Sequence, residues 1–131
     1  MIWVDEAVVL AIHEEQIAEH GGSLGLRDSN LLQSALARPR NLMAYGQPDL
    51  ADLAASYAFG LAKNHAFVDG NKRVSLVVTE TFILLNNGTL IADDAACLDI
   101  WLRLAAGQID EAQLAIWLRE NIVFSGESAS S

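Results

Sequence analysis

Apolar positions recur along most of the chain with helical spacing, and acidic residues and glycines punctuate them. "VDEAVVLAIHEEQIAEHGG" predicts a first helix: Asp5 is placed to cap it, Val4 and Val9 stand at staple spacing across its start, and Gly21 with Gly22 ends it. His13 and His20 fall on or beside its polar side. With no acidic or cysteine ligand pattern around them, they are expected to be solvated or helix-end histidines outside any site. "SLGLRDSNLLQSALARP" predicts a second helix, with Asp28 as cap, Leu31, Leu32, Ala35 and Leu36 as its apolar face and Pro39 closing it. The stretch "RPRNLMAYGQPDL", with two prolines, a glycine and a tyrosine, then reads as a long irregular connection, either functional or an ordinary surface loop. Residues 49–62 return to helical spacing through Leu53, Tyr57 and Leu61, broken near Asn64.

The apolar run "VSLVVTETFILLNNG" is rich in β-branched residues, yet its length exceeds that of an ordinary strand, and its all-round hydrophobicity predicts a buried central helix stopped at Asn86, Asn87 and Gly88. "DDAACLDIWLRLAAG" and "DEAQLAIWLREN" predict two more capped helices, the second with Asp110 and Gln113 at capping-box spacing. The expected fold class is all-α: about six helices around the central one, with at most a short extended piece near "TLIA". One domain is expected over residues 1–124, followed by a frayed tail over 125–131.

Composition narrows this further. The chain has 131 residues and is 52% hydrophobic, enough to bury a core without disulfide or metal support. Its single cysteine, Cys97, lies in a helix-like apolar stretch and reads as inert filling in a protein of a reducing, cytoplasmic compartment. The N-terminus has no basic n-region and meets Asp5 and Glu6 at once, so no signal peptide is expected, and no run reaches membrane-spanning length. Eight basic against seventeen acidic residues leave a net charge of −9, which disfavours nucleic acid as a partner. Lys63, Lys72 and Arg73 are the local exception, clustered around one short segment.

That segment is "HAFVDGNKR", residues 65–73, placed between two predicted helices. A loop entering a helix offers unpaired backbone N–H groups, an anion site suited to phosphate. Gly70 lets the backbone come close to a ligand, while Asn71, Lys72 and Arg73 add donors and charge. Asp69 beside bound phosphates points to a divalent cation such as Mg²⁺ between them, and His65 is free to act as a general base. Phe67 is expected to anchor the loop in the core. Each polar residue taken singly also fits a helix cap with a solvated edge. Their concentration in nine positions is what argues for chemistry.

The order His, any, Phe, any, Asp, Gly, Asn, Lys, Arg resembles the signature loop of the Fic/Doc superfamily, specifically its death-on-curing (Doc) toxin branch. "GGSLGLRD", "LLQSALARP" and the "NG" after the central helix are similar to that branch as well, so the resemblance covers about residues 5–119. It implies an all-helical Fic fold in which the motif joins two core helices. In that fold His65 would be the base that deprotonates a target hydroxyl, Asp69 the Mg²⁺-linked acid, and Gly70, Asn71, Lys72 and Arg73 the phosphate cradle. Most Fic proteins resemble AMP transferases and carry glycine where this chain has Lys72. The Doc branch is similar to this chain there; its members are kinases that bind the nucleotide in a reversed sense and phosphorylate a threonine of elongation factor Tu, halting translation.

The resemblance therefore implies ATP and Mg²⁺ as cofactors, elongation factor Tu as substrate and a Phd-type antitoxin as partner, with neither nucleic acid nor membrane involved. An AMP transferase on the same fold and a catalytically silent binding module are the rival readings. Many Fic proteins also carry an inhibitory helix with Ser or Thr, three residues, then Glu-Gly or Glu-Asn. The nearest match here, "IWLREN", begins with Ile116, so control in trans is expected.

Overall fold

The structure, a computed structural model, describes residues 1–125. The expected frayed tail, from residue 126 on, lies outside the described residues. Six helices run in order: α1 (Glu6–His20), α2 (Ser29–Tyr45), α3 (Leu50–Asn64), α4 (Asn71–Leu85), α5 (Asp94–Ala105) and α6 (Glu111–Asn121). Two short strands, β1 (Gly88–Leu90) and β2 (Ile122–Phe124), pair antiparallel with Thr89 opposite Val123. Among the described residues no helix is long and apolar enough to cross a membrane.

Aspartate caps set most of these boundaries. Asp5, Asp28, Asp49, Asp93 and Asp110 each accept a backbone N–H from the first turn of α1, α2, α3, α5 and α6, and Asp49 and Asp110 complete capping boxes with Asp52 and Gln113. The cap at Asp49 also bonds Arg119 of α6 at 2.6 Å, which holds its carboxyl down at about 2 and joins α6 to the start of α3.

Two expectations about the helices need correction. The buried centre is α3, not the apolar helix that follows the motif. Small residues, Ala51, Ala54, Ala55, Ala58 and Gly60 among them, let neighbouring helices approach α3 closely, and Leu53, Tyr57 and Leu61 fill the space between. The helix α4 is one-sided: Val74, Val78, Phe82 and Ile83 are buried, while Leu84 and Leu85 are exposed. Nor does Pro39 end α2, which runs six residues further to Tyr45, so the expected long loop shrinks to a short turn around Gly46. A helix-interior proline forfeits one backbone hydrogen bond and costs about 3 kcal/mol. Here the proline ring is itself buried and Leu42 beyond it packs against the core, which offsets that cost.

Three polar contacts lock the helices behind the motif. Ser75 Oγ on α4 donates to the Ala58 carbonyl on α3 at 2.7 Å, and Trp101 Nε1 on α5 donates to Ser75 Oγ at 2.9 Å. The Tyr57 hydroxyl accepts from the Val4 N–H at 3.1 Å and ties the N-terminal segment to α3. Cys97 is buried on α5, and burial, with Glu80 and Asp94 nearby, pushes its thiol up to about 11. A thiol so held is inert filling.

Candidate active site

The segment 65–70 connects α3, the buried centre of the core, to α4, which packs one face against it. Two of its apolar members are pinned, while Val68 is exposed at the cleft: Ala66 and Phe67 are buried, and Phe67 pairs with Leu26 in an isolated antiparallel bridge. The preceding loop grips the segment along its length. Arg27 and Asp28 donate backbone N–H groups to the Ala66 carbonyl at 2.7 and 3.0 Å, and Val68 N–H donates to Gly25 at 3.1 Å. With its apolar side anchored, the segment turns its polar side outward, and His65, Asp69, Lys72 and Arg73 are all exposed.

These residues share one cleft of about 670 Å³. His65, Asp69, Gly70, Lys72 and Arg73 line one wall, while Leu98, Trp101 and Leu102 of α5 form an apolar wall opposite. A smaller cleft of about 480 Å³, bordered by Leu42, Pro48, Asp52 and Glu111, holds none of the motif residues.

At the floor of the larger cleft α4 begins without a side-chain cap. Among the described residues it is the one helix that does so, and its N-cap is Gly70 at φ 80°, a left-handed conformation that favours glycine. A Cβ there would also come within 3.2 Å of Ile17 Cδ1 on α1. The first helical hydrogen bond runs from Val74 N–H to the Gly70 carbonyl at 3.0 Å, so the preceding N–H groups and the positive end of the helix dipole are left for a ligand.

Asn71 departs from its expected role. Its side-chain oxygen accepts from the Phe67 N–H at 3.1 Å and its NH₂ group donates to the Phe67 carbonyl at 3.0 Å. One turn of chain separates the two residues, so the amide closes the loop like a staple. What Asn71 retains for a phosphate is its backbone N–H.

Asp69 Oδ1 accepts from the Gly70 N–H at 2.9 Å and Oδ2 from the Ser23 N–H at 3.3 Å. Gly22 is small for a matching reason, since a Cβ at that position would lie 2.7 Å from Asp69 Oδ2. Each carboxylate oxygen keeps lone-pair capacity toward the cleft. One such carboxylate fits Mg²⁺, which is commonly held by one or two carboxylates with phosphate oxygens and water completing its shell. Among the described residues no group of three His, Cys, Asp or Glu gathers to hold a metal.

His13 is the residue that sequence reasoning missed. It is buried, not solvated: its ring stacks on Phe67 at 3.9 Å between centroids, and its Nε2 lies 2.9 Å from the Asp69 carbonyl oxygen. His20, by contrast, is exposed, as expected. The available signal was the phase of α1, because His13 lies four residues after Val9 and four before Ile17, both buried. Replacing His13 with alanine removes a stacked ring and a buried hydrogen bond, and is expected to cost about 2–3 kcal/mol in a urea titration.

The Fic/DOC family profile matches residues 3–83, from the N-terminal segment through nearly all of α4. A "Toxin Doc" of Mycolicibacterium smegmatis is 46% identical over 76 residues, which span 56% of this chain and 58% of that protein. The "Protein kinase doc" of Escherichia phage P1 is 30% identical over 112 residues, 85% of this chain and 88% of its own length. A match that takes in both core helices, the motif joining them and the loop that grips it is more than a shared short pattern, and the chain belongs to the Fic/DOC family.

Proposed function

We propose that the chain is the toxin of a toxin–antitoxin pair. In this reading it is an ATP- and Mg²⁺-dependent protein kinase that transfers the γ-phosphoryl group to a threonine hydroxyl of a translation factor, expected to be elongation factor Tu. The observation that carries the reading is the gathering of His65, Asp69, Lys72 and Arg73 around the uncapped start of α4 in one cleft. The names of the two relatives, one a toxin and one a protein kinase, support it.

The chemistry follows from these positions. The N–H groups at the start of α4, with Lys72 and Arg73, bind and orient the phosphate chain. Asp69 would hold Mg²⁺, which when bound neutralises phosphate charge. His65 takes the proton from the attacking hydroxyl, the hydroxyl oxygen bonds to the γ-phosphorus, and the bond to the β-bridging oxygen breaks to release ADP. Lys72 decides which phosphate is presented. A glycine at that position leaves room for phosphates deep against the backbone, whereas the lysine fills that room and offers a mobile point charge.

Parallel incubations of the protein and elongation factor Tu with γ-³²P-ATP and α-³²P-ATP test the reading. Label from the γ position alone, with a phosphate adduct on threonine by mass spectrometry, is the expected result. An AMP adduct would replace the kinase reading with AMP transfer and leave the role of His65 standing.

Asp69→Asn is expected to weaken ATP binding in the presence of Mg²⁺ by on the order of tenfold, the scale of one contact to a charged group. In EDTA it should cause no loss of affinity and could only raise it, because without metal the carboxylate repels the phosphates. Calorimetric titration of both conditions decides this, and equal losses in both would reduce Asp69 to a loop-bracing residue. A Phd-type antitoxin is the expected partner. The nearest match to an inhibitory helix begins at Ile116 inside α6, and among the described residues α6 supplies nothing to the cleft.

A further inference from the structure

His65 occupies an unusual backbone position. It is the C-cap of α3 at φ 51°, ψ 49°, and among the described residues it shares a positive φ with one other non-glycine residue, Asn87. Asparagine and histidine are both enriched in that region, yet the conformation remains uncommon for any residue with a side chain and is held by its surroundings. The peptide plane that follows His65 sets where its imidazole points.

One residue outside the motif grips this plane. Arg27 Nε donates to the His65 carbonyl at 2.7 Å, one of its terminal nitrogens reaches the Asn64 carbonyl at 3.4 Å, and its backbone N–H donates to the Ala66 carbonyl at 2.7 Å. Three successive carbonyls, 64 to 66, are thus held by a single residue. Among the described residues Arg27 forms no salt bridge, so its charge is directed at the C-terminal carbonyls of α3, where the helix dipole favours a cation. The guanidinium fork suits this task, since it can meet adjacent acceptors from a fixed plane.

We propose that Arg27 is a positioning residue for His65: it holds the left-handed backbone that aims the imidazole into the cleft, and so sets the rate of proton transfer without touching nucleotide or target. The rate consequence rests on the kinase reading above; the conformational consequence does not. Arg27 is exposed, so its removal should leave the fold intact.

The test compares the full chain with Arg27→Ala and Arg27→Lys. In Arg27→Ala, amide relaxation dispersion at His65 and Ala66 is expected to show exchange absent from the native protein. With γ-labelled ATP, kcat should fall roughly 10- to 100-fold, the scale of a misplaced catalytic group, while KM for ATP and the thermal midpoint change little. Arg27→Lys should recover part of the rate, because an ammonium can still donate to one carbonyl. Quiet amides in Arg27→Ala overturn the proposal, and so does a native kcat. If the native protein transfers no phosphoryl group, the kinase reading fails and the amide comparison still decides the role of Arg27.

Discussion

His65→Ala is expected to lower the rate of phosphoryl transfer by about 10²- to 10⁴-fold, the usual worth of a positioned general base. The protein should stay folded. His65 is exposed, and among the described residues its ring forms no hydrogen bond that the fold would miss. The left-handed backbone calls for a control, because alanine tolerates φ near 51° poorly. His65→Asn removes the base while keeping a residue suited to that conformation, so both variants should lose activity alike. Single-turnover assays with γ-labelled ATP, alongside thermal melts, separate the loss of chemistry from the loss of structure. Full activity in His65→Asn would end the assignment of His65 as base.

The largest expected effect on stability belongs to Trp101. Its side chain is fully buried, forms part of the apolar wall of the cleft, stands edge-on to Trp117 at 6.3 Å and donates to Ser75 Oγ. Trp101→Ala should cost about 3–5 kcal/mol, from lost burial and the cavity left behind. That is a large share of the roughly 5–15 kcal/mol that holds a typical domain folded. Trp101→Phe retains most of the ring and leaves the Ser75 hydroxyl still donating to Ala58, so it should cost distinctly less. Urea titrations with unchanged slopes would report both as true stability changes. Equal losses in the two variants would mean that the indole N–H, not the ring's bulk, holds α5 in place.

The local features of this protein were legible in its sequence because their chemistry is local. Asp5, Asp28 and Asp110 could be named as helix starts, since a carboxylate meets N–H groups two or three residues ahead of it whatever the rest of the chain does. The clustering of His65, Asp69, Gly70, Lys72 and Arg73 was legible for the same reason: nine consecutive residues entering a helix cannot lie far apart. The all-α class and the six helices followed from spacing.

Other features depended on partners distant in the chain, and these only the tertiary structure decided. Pro39 reads as a stop until its ring is seen buried within α2. β2 forms because residues 88–90 are brought beside it, and no property of "IVF" alone requires that. The centrality of α3 arises from alanines and a glycine that admit close neighbours, a quality that hydrophobicity does not register. Asn71 looked like a phosphate donor because its reach back to Phe67 depends on the fold of the loop. The phase of α1 marks His13 as buried, but the carbonyls that His13 and Arg27 meet, 56 and 38 residues away, lay outside any window of local reasoning. Contacts at that separation come from how helices pack, so the motif's residues could be chosen from sequence, while the groups that hold them in place could not.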